Sequence, residues 1–144
     1  MADIKGNVTI VACWDLSNEL CRNDVPLLNE LAENANANGF GVISIHAAGR
    51  PVAAVKKAIT DQEIKFPVCL DGPEMDHDGG WVKQFFYQAH VIQLPHAIVI
   101  DAKGNIAAKG SLADMVAVAR KLIASPADAK PNAAAAPTTL PTSK

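Results

Sequence analysis

Residues 8–14 of the chain read Val-Thr-Ile-Val-Ala-Cys-Trp, a run that is rich in β-branched side chains and almost entirely apolar. A strand with one face in water alternates apolar and polar residues, whereas a strand covered on both faces is apolar throughout. The run therefore predicts a central β-strand in a sheet that other elements cover on both sides. A chain of 144 residues is long enough to supply those elements within one domain.

The residues that follow this strand indicate a helix with an interruption near its start. Asp15, Ser17 and Asn18 are all residue types that cap helix N-termini. An apolar stripe at helical spacing then runs up to Gly39, a residue type that ends helices. Pro26 lies inside the stripe, so a kink or a break is expected there. The stripe consists of Cys21, Val25, Leu28, Ala32 and Ala35.

The rest of the chain continues to alternate strands with helices. The first predicted elements are a strand at Val42–His46, a helix opened by Pro51 that carries Val52, Val55 and Ile59, and a short strand at Phe66–Leu70. An acidic loop at Asp71–Gly80 and a helix carrying Trp81, Phe85 and Ala89 follow. The last elements are a strand at His96–Asp101, a hairpin strand at Asn105–Lys109 and an amphipathic helix at Leu112–Ile123. This order, βαβαβαββα, predicts an α/β fold with a central mixed sheet, helices on both faces and a C-terminal β-hairpin and helix.

From residue 125 onward the composition changes to alanine, proline, threonine and serine without apolar periodicity. Such a segment buries too little apolar surface to offset its ordering entropy, so residues 125–144 are predicted to be a disordered tail or linker after a domain at residues 1–124. The net charge is −2 and no basic block is present, which argues against a nucleic-acid partner. No apolar stretch approaches the ~20 residues of a membrane span.

Several residues of this chain follow one another in the order and at the separations that are typical of a known protein family. Trp14 ends the first strand, Cys21-Arg22-Asn23-Asp24-Val25-Pro26 follows, and Leu94-Pro95 precedes a strand and a hairpin. In these features residues 3–124 resemble the thioredoxin-like redoxins, especially the TlpA-like thiol-disulfide oxidoreductases. The resemblance implies a thioredoxin-like fold, a cis bond before Pro95, protein thiols or disulfides as partners, no cofactor, and a periplasmic or extracytoplasmic location, although this chain carries no secretion signal.

The main departure from that family is at residue 18. The family carries Cys-x-x-Cys before Arg-x-x-x-Pro, whereas this chain has Asn18-Glu19-Leu20-Cys21. The family's chemistry needs one thiolate to attack and a second thiol to resolve the mixed disulfide. With Asn18 in the first position no disulfide can form within the motif, and the asparagine is predicted to be a helix cap. Trp14 and Asp15 lie beside this site, and an ionised Asp15 would raise the pKa of Cys21.

Cys21 has two interpretations, and both stay open at this point. In the first turn of a helix, the helix dipole favours its thiolate. The peroxiredoxins, which share the fold, carry their reactive cysteine at this position, but their Thr or Ser three residues earlier is Asn18 here and their proline is Trp14. On the other interpretation Cys21 points inward with the apolar stripe, where burial raises the pKa of a thiol and makes it inert.

The other candidate residues are predicted to have packing or partner-binding roles. Cys13 and Cys69 are predicted to be packing residues with one strand between them, hence about 10 Å apart and beyond disulfide reach. The resemblance implies that Leu94, Pro95 and His96 form a partner-binding edge. A pairing of His96 with Cys21 is a weaker hypothesis. The histidines and cysteines lack zinc-site spacing, so no metal site is predicted.

Two functions follow from these observations. The first is a thioredoxin-like redox protein in which Cys21 is the single catalytic cysteine and acts through a mixed disulfide or a sulfenic acid. The alternative is a catalytically degenerate binding or structural module of a larger protein. We expect a monomer in either case.

Overall fold

The computed structural model describes residues 6–47, 50–70 and 93–124. Five strands and five helices lie in these ranges: β1 (Val8–Trp14), α1 (Glu19–Asn23), α2 (Val25–Glu33), α3 (Ala35–Asn38), β2 (Phe40–His46), α4 (Val52–Asp61), β3 (Val68–Leu70), β4 (His96–Ile100), β5 (Ile106–Gly110) and α5 (Leu112–Ala124). The predicted acidic loop, the helix with Trp81, Phe85 and Ala89, and the tail at residues 125–144 lie outside the described residues.

The five strands form one mixed sheet in the order β3-β2-β1-β4-β5. β1 lies at the centre, and all seven of its residues are buried. It pairs in parallel with β2, which pairs in parallel with β3. It pairs antiparallel with β4, which forms the hairpin with β5. The predicted α/β class, with parallel strands and a hairpin at one edge, is confirmed.

The segment predicted as one interrupted helix is three short helices. The expected break near Pro26 lies at Asp24, and Pro26 occupies the first turn of α2, where a missing N–H costs least. A second break at Asn34 was not predicted. The last of the three helices ends at Gly39, whose φ of 78° is the left-handed conformation that glycine adopts freely.

Alternate residues of β1 pack into two apolar clusters, one on each face of the sheet. Val8, Ile10, Ala12 and Trp14 pack in the larger cluster with residues of α1, α2 and α5. On the other face of the sheet the smaller cluster consists of Val11, Cys13, Ile45, Ile98 and Ile100. The predicted helix after Pro51 is α4; its buried residues are Val55 and Ala58, whereas Val52, its first residue, is 40% exposed.

The residues of interest lie at one end of the sheet, where β1 and β2 end. Trp14 and His46 are the last residues of β1 and β2, and they are directly paired. Because β4 runs antiparallel to β1, its first residue, His96, lies at the same end and pairs with Cys13. The segment between β1 and α1 therefore meets the segment before β4 at this end of the sheet.

Candidate functional site

Asn18 is the N-cap of α1, as predicted. Its backbone is extended, with φ −91° and ψ 118°, and its side-chain Oδ1 accepts hydrogen bonds from the N–H groups of Leu20 at 2.9 Å and Cys21 at 3.3 Å. These are two of the donors that a helix start leaves without partners. Glu19 adds a negative charge in the first turn, which the helix dipole favours.

The same amide also reaches across the site to the segment before β4. Asn18 Nδ2 donates a hydrogen bond to the carbonyl oxygen of Leu94 at 3.2 Å, between residues 76 positions apart in the chain. The peptide bond between Leu94 and Pro95 is cis, as the family resemblance implies. One polar side chain therefore connects the start of α1 to the segment that contains the cis-proline.

Cys21 lies three residues after Asn18 and is only 1% exposed. Its side chain packs in the larger apolar cluster, together with Val25 and Leu28. Burial raises the pKa of the Cys21 thiol, and the carboxylates of Asp24 and Asp15 act in the same direction. A hydrogen bond from the Asp15 backbone and the charge of Arg22 act against them without reversing the shift. The folded domain therefore holds Cys21 as a neutral thiol at neutral pH.

Asp15 begins the loop between β1 and α1 and folds it into a local turn. Its Oδ1 accepts from the Ser17 N–H and from the Ser17 hydroxyl, each at 2.7 Å, and lies 3.8 Å from Nε of Arg50. Partial burial by itself raises the pKa of Asp15, but the two bonds from Ser17, with the charges of His46 and Arg50, hold it below its ordinary value. Asp15 is therefore a carboxylate at neutral pH, beside the site as predicted.

Trp14 forms a wall of the site and is 2% exposed. Its indole N–H donates to Oγ of Ser44 at 3.1 Å, and the Ser44 hydroxyl donates in turn to the carbonyl of Pro67 at 3.0 Å. The indole ring packs edge-on against His46 and Phe66, with ring centroids 4.9 and 6.3 Å away. Both the apolar body and the polar tip of Trp14 therefore have partners, as a buried tryptophan requires.

His46 is a site residue that the sequence reasoning missed. It is 2% exposed, and its ring Nε2 accepts a hydrogen bond from the Leu16 N–H at 3.0 Å. Nδ1 lies 2.7 Å from the carbonyl oxygen of Ala47. A polar residue that ends an apolar strand, as His46 ends β2, was the available signal, but its contact with Leu16 depends on strand pairing.

The two other cysteines, Cys13 and Cys69, differ in their exposure to solvent. Cys13 is buried and Cys69 is exposed, so the prediction that Cys69 is a packing residue is wrong. Cys69 lies on the three-residue edge strand β3, whose short length leaves it little cover. Both thiols are free, and Ile45 of β2 pairs with each of them, which confirms the predicted intervening strand.

His96 shares a sheet face with Cys13, because the two residues are directly paired. That is the face of the smaller cluster, whereas Cys21 packs in the larger cluster on the other face. The structure therefore does not bring His96 and Cys21 onto one face, and the hypothesis of a pair is not supported. The ring Nε2 of His96 is buried and has no hydrogen-bond partner in the part of the chain that the structure describes, and burial lowers the pKa of the ring. A role for His96 in partner binding stays a prediction.

No helix in residues 6–47, 50–70 and 93–124 is long and apolar enough to cross a bilayer. Within the same ranges, no group of three or more histidine, cysteine, aspartate or glutamate side chains is placed to hold a metal ion.

The sheet order, the cis-proline and the helix that starts at the end of β1 define a thioredoxin-fold protein. The chain belongs to the AhpC/TSA family, whose sequence profile matches residues 1–109. It is 27% identical over 106 residues to "Thiol-disulfide oxidoreductase ResA" of Bacillus thuringiensis and of Bacillus cereus, which covers 74% of this chain and 56% of each relative. The chain thus spans just over half the length of the curated relatives it matches.

Solved structures show the same fold. A thiol-disulfide isomerase from Corynebacterium glutamicum has a TM-score of 0.70 at 22% identity, with 85% of this chain and 84% of that chain covered. A thiol:disulfide interchange protein from Bacteroides sp. has a TM-score of 0.69 at 23% identity, covering 88% and 80%. The thioredoxin domain of a thiol-disulfide oxidoreductase from Bacteroides vulgatus has 0.68 at 24%, covering 83% and 81%. The predicted fold class is confirmed, and so is the relationship to thiol-disulfide oxidoreductases.

Proposed function

We propose that this domain binds an extended polypeptide segment at the edge formed by Asn18, Leu94 and Pro95, and does not exchange disulfides itself. This is the degenerate-module alternative of the two functions above. The observation that carries it is the side chain of Asn18, which occupies the place of the attacking thiol. That side chain caps α1 and donates a hydrogen bond to Leu94, so a structural contact occupies the position at which the family that the chain resembles has its attacking thiol.

The chemistry of thiol exchange supports this proposal. Turnover requires a thiolate that reaches a partner disulfide and a second thiol that releases the product. Cys21 is 1% exposed, and burial raises its pKa, so both its access and its thiolate fraction are low. A buried thiol at the second position of the motif corresponds to the resolving thiol, which has nothing to resolve once the attacking thiol is absent.

Two features at the edge support polypeptide binding. In the family that the chain resembles, the residue before the cis-proline offers its backbone to an extended substrate. Here that residue is Leu94, whose carbonyl oxygen bonds to Asn18 and has a second lone pair for a peptide N–H. Leu20, two residues after Asn18, is 62% exposed, so it offers apolar surface beside this edge. A bound segment would cover it.

The experiment measures binding with a probe that cannot undergo exchange. Reduced and carboxamidomethylated insulin B chain, labelled with fluorescein, is titrated with the domain and followed by fluorescence anisotropy. We expect saturable binding that Leu20→Glu weakens about tenfold, because a charge replaces an apolar contact of roughly 1.4 kcal/mol. The matched control is Ile106→Glu, which changes another exposed apolar residue, 48% exposed, at the far end of the β4–β5 hairpin.

The outcomes separate the two parts of the proposal. Equal affinity for the parent and Leu20→Glu, or equal loss with Ile106→Glu, would place the binding elsewhere. The parent domain is also expected to reduce native insulin with dithiothreitol only at the background rate. Turnover at the rate of a dithiol thioredoxin would contradict the claim that exchange chemistry is lost.

The single-thiol redox function remains the second candidate because one observation favours it. Cys21 lies in the first turn of α1, where the helix dipole favours a thiolate. If the loop that carries Asp15 moved aside, Cys21 would lose part of its burial and the nearby Asp15 carboxylate, both of which raise the pKa of its thiol. The two candidates therefore differ in the measured reactivity of Cys21.

A further inference from the structure

The imidazole of His46 joins two segments at the end of the sheet. Its ring is 2% exposed and stands edge-on to Trp14 at 4.9 Å between centroids. Nε2 accepts from the Leu16 N–H at 3.0 Å, and Nδ1 is 2.7 Å from the carbonyl oxygen of Ala47. Both ring nitrogens are thus engaged with backbone groups, one of them 30 residues away in the chain.

These two contacts determine the protonation state of the ring. A nitrogen that accepts an N–H must present a lone pair, so Nε2 of His46 carries no proton. Nδ1 then carries the only ring proton and donates it to Ala47. A proton added at Nε2 would face the Leu16 N–H with a second donor and break that hydrogen bond. The arrangement therefore exists only while His46 is neutral.

The backbone of Leu16 is held from both sides. His46 accepts from its N–H, and Nη1 of Arg22 donates to its carbonyl oxygen at 3.1 Å. The same segment carries Asp15, whose backbone interacts with the buried Cys21 thiol and lowers its pKa, and Asn18, whose N–H donates to the Asp15 carbonyl at 3.0 Å. Loss of the contact with His46 would remove one of these two hydrogen bonds to the Leu16 backbone, in the segment next to Cys21.

We propose that His46 is a positioning residue that acts as a pH-sensitive latch: the neutral ring holds the segment Asp15–Asn18 over Cys21, and protonation of the ring releases it. The inference goes beyond the proposed function and does not depend on it, because the latch is a property of the unliganded domain. It makes access to Cys21 conditional on acid.

The groups that face the ring set the sign of the effect. Among the described residues they are the Asp15 carboxylate from the loop after β1 and the Arg50 guanidinium from the segment before α4, and Trp14 from β1 is uncharged. Burial lowers the pKa of His46, Arg50 adds to the lowering, and Asp15 and the bond to Ala47 oppose it. The latched form therefore prefers the neutral ring, and opening takes up a proton. The latch is closed above the ordinary pKa of about 6.5 and weakens as the pH falls below it.

The direct test is nuclear magnetic resonance of the ¹⁵N-labelled chain. At neutral pH we expect a through-hydrogen-bond coupling between the Leu16 nitrogen and Nε2 of His46, and ring ¹⁵N shifts of the tautomer protonated at Nδ1. On titration to acid, the coupling should vanish and the protection factor of the Leu16 amide against hydrogen exchange should fall with the same midpoint as the ring shifts. Absence of the coupling at neutral pH, or its survival after the ring is protonated, would overturn the proposal.

A second measurement follows access to Cys21 with 4,4′-dithiodipyridine, which reacts with thiols in acid, and with mass spectrometry to locate the modification. The exposed Cys69 in the same molecule is the internal control for the reagent. The rate ratio of Cys21 to Cys69 should rise about tenfold per pH unit between about 6.5 and the pKa of the folded ring. In His46→Gln the amide oxygen accepts from Leu16 without titrating, so the ratio should stay flat. A flat ratio in the parent, or an unchanged rise in the variant, would refute the latch.

Discussion

Replacement of Asn18 tests the structural role that the site assigns to it. In Asn18→Ala the side chain no longer accepts from the N–H groups of Leu20 and Cys21 and no longer donates to Leu94. Loss of an N-cap costs about 1 kcal/mol, and loss of one hydrogen bond costs about 1 kcal/mol more. The free energy of unfolding should therefore fall by about 2 kcal/mol.

Asn18→Ser separates the two contributions. Serine caps helices about as well as asparagine but is too short to reach Leu94 while it caps. We expect this variant to lose only the contribution of the Leu94 contact, about 1 kcal/mol. Asn36→Ala is the matched control, because Asn36 is an exposed residue of α3 and alanine has the higher helix propensity.

The assay is equilibrium unfolding in urea, followed by tryptophan fluorescence and far-UV circular dichroism. For a domain of this size, a loss of 2 kcal/mol lowers Tm by roughly 6–12 °C, which a thermal melt checks independently. A loss below about 0.5 kcal/mol in Asn18→Ala would refute the dual role of the side chain. Parent-like stability of Asn18→Ser would show that the contact with Leu94 contributes nothing.

Two further predictions concern the thiols. Asn18→Cys places a second sulfur one helical turn from Cys21, so mild oxidation should form an 18–21 disulfide, and insulin reduction should rise well above the parent's rate; a folded variant without that bridge in mass spectrometry would show that the loop geometry differs. In the parent, iodoacetamide at neutral pH should modify the exposed Cys69 well before Cys21 or Cys13, because burial raises the pKa of both buried thiols. Fast modification of Cys21 would instead favour the single-thiol redox function.

Much of the fold could be predicted because the deciding signals are short. The apolar run of β1, the break near Pro26 and the helix end at Gly39 each depend on a few neighbouring residues. Asn18 as a cap belongs to the same class, since the N–H groups that donate to its side chain lie two and three residues away. The cis bond before Pro95 was expected only through the family resemblance, because spacing by itself does not select the cis isomer.

Solvent exposure could not be predicted from the sequence pattern, and the reason is physical. The short strand at Phe66–Leu70 was predicted, but the exposure of Cys69 on it depends on how little of that edge strand its neighbours cover. The exposure of Val52 depends on what lies over the first turn of α4 and not on the helical spacing. Periodicity describes which residues share a side of an element, but the neighbours of that element determine how much of the side is covered.

The candidate site also has one part that the local sequence specifies and one part that only the tertiary structure decides. Local chemistry specifies that a helix starts at Asn18 and that Cys21 follows in its first turn. The contacts that close the site, from Asn18 to Leu94 across 76 residues and from Leu16 to His46 across 30, exist only because the strands pair in one register. A hydrogen bond needs its two atoms within about 3 Å, and only the assembled sheet brings such distant residues that close.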